Sequence, residues 1–251
     1  MLERFIHRPH KTDIVKIIYS KTDYSTPFLI YTKNGDRISC LKIYPYNKNF
    51  ITTNTTKYLV YSHGNSSNII TQFNYFRELS NDLDTIIITY DYVGYSLSEN
   101  KWPSENRCYD SIECVMDHLL VELQINPENI YLVGRSLGTG VVIDYLSKHP
   151  WTTPAILISP YKSIFTTKFR YNFLKVFDKF VSIDKIKNVK CPIKIFHGHN
   201  DNTISLCHSM ELYELLPNKS LEPTLFDNTN HRNILGKIKV EDYLEVFNHK
   251  I

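Results

Sequence analysis

The sequence predicts an α/β fold: a mostly parallel sheet of eight strands, helices on both faces and a small lid insertion, within one domain spanning residues 1–251. Three observations predict it. Short apolar, β-prone runs alternate with stretches of helical period, the pattern of parallel strands joined by crossover helices. One such run turns through Gly134-Arg135-Ser136-Leu137-Gly138 directly into a helical stretch. Two later runs are followed by Asp201 and His231, at the carboxyl ends of strands where open α/β sheets collect their functional groups.

The elements follow in order. Residues 27–32 and 37–44 flank Asn34-Gly35, a strong hairpin signal, and supply an antiparallel edge. Residues 57–63 form a short strand that ends in Ser62-His63-Gly64, and 68–83 have helical spacing. Residues 85–90 contain Ile86-Ile87-Ile88 and read as a buried strand. Ser104 caps a long amphipathic helix that runs to about Ile125. Strand 129–134 leads into helix 137–149, followed by strand 154–159. Strand 190–197, helix 206–216, strand 221–226 and helix 240–247 close the chain. The alternation lapses over 161–189, which is expected to be an insertion over the carboxyl edge of the sheet.

Composition bounds the function. A length of 251 residues with 42% hydrophobic and 22% charged residues is ordinary for a soluble globular domain. A net charge of +3 is too small to point to nucleic acid. No apolar run approaches the length of a membrane span. Charged residues Glu3, Arg4 and Arg8 interrupt the amino terminus, so no signal peptide is expected there. The five cysteines are scattered, odd in number and lack any Cys-x-x-Cys pair; reduced thiols in a cytoplasmic protein are expected, with no metal, cofactor or disulfide framework. A single alanine among many Ile, Asn, Lys and Tyr residues reflects an AT-rich coding genome.

Gly-x-Ser-x-Gly between a strand and a helix is the setting of a nucleophilic serine. The turn strains the serine backbone at a cost of about 1–3 kcal/mol. Glycine is needed beside it because a Cβ would collide with the neighbouring strand and helix. A plain strand-to-helix turn needs no such arrangement, and the remaining groups decide between the two readings. A serine hydroxyl is a weak nucleophile until an imidazole takes its proton, and the imidazole needs a carboxylate on its far nitrogen. Ser136, Asp201 and His231 stand in the order nucleophile, acid, base that this strand-turn-helix chemistry uses. An oxyanion would need two N–H donors, for which Leu137, at the helix start, and Asn65, just after His63-Gly64, are the candidates.

Each residue has a plainer reading. Asp201 could be a turn aspartate beside Asn200 and Asn202, and His231 a surface histidine. Asp227, the rival acid, is four residues from His231 on the same strand end and reads as a turn residue. His197, His199 and His208 fall on the wrong strand or helix to act as base, His63 reads as loop-shaping, and Asp91 as shaping the turn after its strand. Within 161–180, Phe165, Phe169, Tyr171, Phe173, Phe177 and Phe180 interleave with Lys162, Lys168, Arg170, Lys175 and Lys179, against the single acid Asp178. Either the aromatics pack on the core with the lysines in water, or they form a basic, aromatic rim for an acyl chain or an anionic membrane surface.

The chain resembles the α/β-hydrolase superfamily, and within it the α/β-hydrolase-domain serine hydrolases that remove palmitate from membrane-protein cysteines. The resemblance lies in Arg37-Ile38-Ser39-Cys40, Tyr61-Ser62-His63-Gly64-Asn65, Tyr90-Asp91-Tyr92-Val93-Gly94-Tyr95-Ser96, Pro127-Glu128-Asn129-Ile130 and the Gly134 to Gly138 turn. It continues through Ser159-Pro160, Ser182-Ile183-Asp184-Lys185-Ile186, His197-Gly198, Asp201 and Asn230-His231. It keeps its order over about residues 25–250. It implies an α/β-hydrolase fold, a Ser136, Asp201 and His231 triad, no cofactor, and small-molecule or acylated-protein esters or thioesters as substrates. Residues 1–24 lack the lipidated cysteine cluster of the depalmitoylases, and Arg135 ahead of the serine is more like other branches of the superfamily. Coding bias and compact length are similar to giant-virus members, which would place the protein in host cytoplasm. The alternative is a non-catalytic binding protein of the same fold; such proteins usually lose a triad member, and all three are present here.

Overall fold

The computed structural model describes His7 and residues 22–46, 51–168 and 178–249. Its contacts fall into two compact units, Met1–Tyr131 and Leu132–Ile251. The described residues hold eight strands, mostly parallel, with helices between them, the α/β-hydrolase architecture expected from sequence.

In the first unit the strands lie in the order β1 (Ser25–Tyr31), β2 (Arg37–Ile43), β4 (Ile86–Asp91), β3 (Tyr58–Ser62). β1 pairs antiparallel with β2 around the Asn34-Gly35 turn, β2 antiparallel with β4, and β3 parallel with β4. Leu29 and Tyr31 on β1 are exposed and Ile30 between them is buried, the alternation of a half-covered edge strand. Every residue of β4 is buried, so its isoleucines run without alternation. Helix α1 (Ile69–Asp82) starts at a capping box in which Asn68 and Thr71 satisfy each other's backbone N–H. Helix α2 (Glu105–Asp117) starts at Ser104, whose hydroxyl accepts from Arg107 N. Sequence periodicity extends α2 to about Ile125, but the α-helix ends at Asp117 and continues as a π-helical turn, His118–Glu122. The wider turn keeps Leu119 buried and leaves Val121 70% exposed.

In the second unit the order is β5 (Ile130–Arg135, which straddles the boundary), β6 (Ala155–Ile158), β7 (Ile193–Gly198), β8 (Thr224–Phe226), each paired parallel with the next. Three strands begin later than the apolar runs suggest. Pro154, Pro192 and Pro223 stand just before β6, β7 and β8, and a proline has no N–H to give a ladder. Helix α3 (Leu137–Lys148) follows β5 without a connecting loop, and its Val141, Val142 and Ile143 are buried.

The insertion is partly described. α4 (Ile164–Lys168) and α5 (Ser182–Lys185) flank residues 169–177; Phe169, Arg170, Tyr171, Phe173, Lys175 and Phe177 lie outside the described residues. The two described arms are tied together at their base: Ile164 N donates to Lys179 O at 2.9 Å, Phe165 N to Asp178 Oδ1 at 2.9 Å, and Ile183 N to Lys162 O at 3.0 Å. Phe165 and Phe180 are buried, and Lys162 pairs with Glu211 at the surface. α6 (Leu206–Glu214) and α7 (Val240–Phe247) complete the unit.

Candidate active site

Ser136 sits between β5 and α3 with φ 51° and ψ −117°, a conformation that L-residues avoid. Its neighbours hold it there. Ser136 N donates to Ile158 O on β6 at 2.9 Å, and Ser136 O accepts from Thr139 N at 2.9 Å and Thr139 Oγ1 at 2.7 Å. Gly134 is glycine for a steric reason: a Cβ there would stand 2.5 Å from the Gly138 carbonyl oxygen, closer than any real contact. The strand can turn into the helix only because that carbon is missing. Leu137 is the first residue of α3, so its N–H is one of the four without a partner inside the helix.

Asp201 lies on the loop after β7. Its Oδ1 accepts from Thr203 N at 2.9 Å and Ile204 N at 2.8 Å, which leaves Oδ2 to face His231 Nδ1 at 2.7 Å. Burial pushes the carboxyl pKa up, but the hydrogen bond and charge of His231, with the Ile204 and Thr203 N–H groups, outweigh it and hold the group below the usual carboxylate range. His231 Nε2 stands 3.0 Å from Ser136 Oγ. With Nδ1–H donating to the carboxylate, Nε2 is the acceptor for the Ser136 hydroxyl. Three side chains far apart in sequence therefore form one hydrogen-bonded line.

The other nominated residues fall elsewhere. Asp227 is exposed and lies 3.6 Å from His199 Nε2 at the surface. His197 is fully buried on β7; its Nε2 donates to Ile204 O at 2.9 Å and its Nδ1 accepts from Ser209 Oγ at 2.5 Å. It props the Asp201 loop, a support that nothing in the sequence signals. In the first unit, Asn65 lies in the turn after β3 and its Oδ1 accepts from the Tyr95 hydroxyl at 2.8 Å. His63 is buried and donates through Nδ1 to Gly64 O at 2.8 Å, a loop-shaping contact. Asp91 differs from the expectation of a turn residue: its carboxylate accepts from Ile69 N at 3.0 Å and so caps the start of α1. Among the described residues no cluster of His, Cys, Asp and Glu has the arrangement of a metal site, and no helix is long and apolar enough to cross a membrane.

No protein-family model matches the chain. It is 47% identical over 228 residues to L404 of Acanthamoeba polyphaga mimivirus, assigned by name to the alpha/beta hydrolases, with 91% of this chain and 85% of that protein covered. It is 35% identical over 179 residues to alpha/beta hydrolase domain-containing protein 17C of Xenopus laevis, which covers 70% of this chain and 56% of that protein. Among solved structures, the Pyrococcus furiosus esterase Pf2001 superposes with a TM-score of 0.73 at 17% identity, covering 96% of this chain and all (100%) of that one. Est1E of Butyrivibrio proteoclasticus, solved with ferulic acid, superposes with a TM-score of 0.71 at 14% identity, covering 88% and 100%. At such identities the two structures speak to the fold alone.

Proposed function

We propose, from the premise that the chain belongs to the α/β-hydrolase family and is a hydrolase, that it is a serine hydrolase cleaving esters or thioesters through an acyl-enzyme. The observation that carries this reading is the line Asp201 Oδ2, His231 Nδ1, His231 Nε2, Ser136 Oγ, with separations of 2.7 and 3.0 Å at its two gaps. Ser136 Oγ bonds to the acyl carbon while His231 Nε2 takes its proton. Asp201 keeps the imidazole in the accepting tautomer and stabilises its charged form. Leu137 N–H takes the charge that develops on the carbonyl oxygen. Loss of one such donor costs about 3–4 kcal/mol of barrier. As the tetrahedral intermediate collapses, His231 returns the proton to the leaving alcohol or thiol. Water, deprotonated by the same imidazole, then attacks the acyl-enzyme and frees Ser136 and a carboxylic acid.

The five free cysteines support a reducing, cytoplasmic setting. A fluorophosphonate probe tests the reading: it should label the wild-type protein and not Ser136→Ala at unchanged fold. Labelling of the alanine variant would reject Ser136 as the nucleophile. Turnover of p-nitrophenyl esters of rising length beside palmitoyl-thioester peptides then sorts the substrate class. An optimum near a sixteen-carbon chain supports protein depalmitoylation, and activity confined to short esters rejects it.

A further inference from the structure

Arg135 directly precedes Ser136, and its guanidinium Nη2 donates to the main-chain carbonyl of His231 at 2.9 Å. We propose that Arg135 is a positioning residue that fixes the backbone of the general base relative to the nucleophile. The proposal rests on the reading of Ser136 and His231 given above.

Arg135 and Ser136 share one anchor. Arg135 is in register with Ile158 on the parallel β5–β6 ladder, and Ser136 N donates to Ile158 O. The guanidinium is thus measured out from the same clamped strand end that holds the hydroxyl. His231, by contrast, sits on a loop with no ladder of its own. On its amino side Thr229 O accepts from Asn200 N at 2.9 Å. Around it, Asn230 and Asn233 close a small cap: Asn230 N donates to Asn233 Oδ1 at 2.8 Å, and Asn230 Oδ1 accepts from Arg232 N at 2.9 Å and Asn233 N at 3.2 Å. The Arg135 bond reaches the His231 peptide itself.

Geometry explains why that peptide matters. Asp201 sets the direction of the imidazole through Nδ1, but the reach of Nε2 to Ser136 Oγ depends on where the main chain stands. A displacement of about 1 Å in such a site can cost about 100-fold in rate. Arginine suits the task because its planar guanidinium presents its donors in a rigid fork, so little side-chain freedom is lost when it holds a carbonyl. The cost of the arrangement is visible: Arg135 Nε is buried with no hydrogen-bond partner, the kind of unsatisfied group that native structures retain where another role requires it.

The test compares Arg135→Met, Arg135→Gln and Arg135→Lys on a short p-nitrophenyl ester and a fluorophosphonate probe. In Met and Gln variants that fold, kcat and labelling rate should fall together by about 10- to 100-fold with KM unchanged. Lysine, a donor of similar reach, should recover part of the loss. A wild-type kcat in a folded Met or Gln variant overturns the proposal. So does a loss confined to KM, no recovery by lysine, or failure of both neutral variants to fold, which would make Arg135 a support of the fold alone. Ser136→Ala separates the two claims. If it still labels, the nucleophile assignment fails; if it is silent while the Arg135 variants turn over normally, only the clamp fails.

Discussion

Gly198 and Thr229 meet backbone against backbone: a Cβ on Gly198 would stand 2.2 Å from the Thr229 carbonyl oxygen. The same oxygen accepts from Asn200 N at 2.9 Å. This approach joins the end of β7, from which the Asp201 loop leaves, to the loop that carries His231, so the acid and the base are spaced by main chain rather than by side-chain packing.

Gly198→Ala is therefore expected to do double damage. Relief of the clash must push the Thr229 carbonyl away, at about 3 kcal/mol of stability. It must also carry His231 away from Ser136. Urea titration and probe labelling should fall in parallel, and an alanine variant with normal stability would show that the loop yields freely.

Asp201→Asn should keep the fold and lose activity by about 10⁴-fold in kcat, because an amide facing Nδ1 favours the wrong imidazole tautomer. Circular dichroism checks the fold and single-turnover acylation the rate. A modest loss, within tenfold, would mean that Asp201 only shapes its turn.

Acid should destabilise the protein in two stages. Burial, then the Lys162 charge, holds His208 down to about 4, and burial also lowers His197. Both bind protons more readily in the unfolded chain, so stability is lost as pH falls below the ordinary histidine range of about 6.5. Asp201, held below its usual range, contributes stability above the unfolded carboxylate pKa of about 3.9 that is lost at lower pH still. Urea midpoints measured from pH 7 to pH 4 should fall, and His208→Asn should remove on the order of 2 kcal/mol of that decline. A midpoint that rises on acidification would contradict the sign.

Asp144 on α3 is buried beneath Lys148 at 2.6 Å and Lys185 at 2.7 Å. The second bond ties α5, at the far end of the insertion, to the helix that follows Ser136. Asp144→Ala should cost about 2–3 kcal/mol, since it leaves two ammonium groups without their shared partner, one of them partly buried. Lys148→Ala should cost under about 1 kcal/mol, because that lysine is half exposed. Equal losses from the two changes would place the effect elsewhere than in the ion pairs.

Much of this fold is legible in the amino-acid sequence alone. Apolar period is a local signal, and it located β4 through three consecutive isoleucines and α3 through the spacing after Gly138. Strand starts were less legible because Pro154, Pro192 and Pro223 are apolar in pattern yet cannot donate to a ladder. The end of α2 leaves no sequence signal, because a π turn shifts the buried face without changing residue type. Ser136, Asp201 and His231 could be nominated because their chemistry dictates residue type and strand position together.

The sequence by itself determined the strand–helix alternation, the strained turn at Ser136 and the order of the nominated acid and base, since each is written in short runs or in residue type. Tertiary structure alone decided that Arg135 holds the His231 carbonyl, that His197 props the Asp201 loop and that Gly198 must be bare beneath Thr229. These contacts join positions distant along the chain or made through main-chain atoms, and neither leaves a periodic trace in the residues that make them.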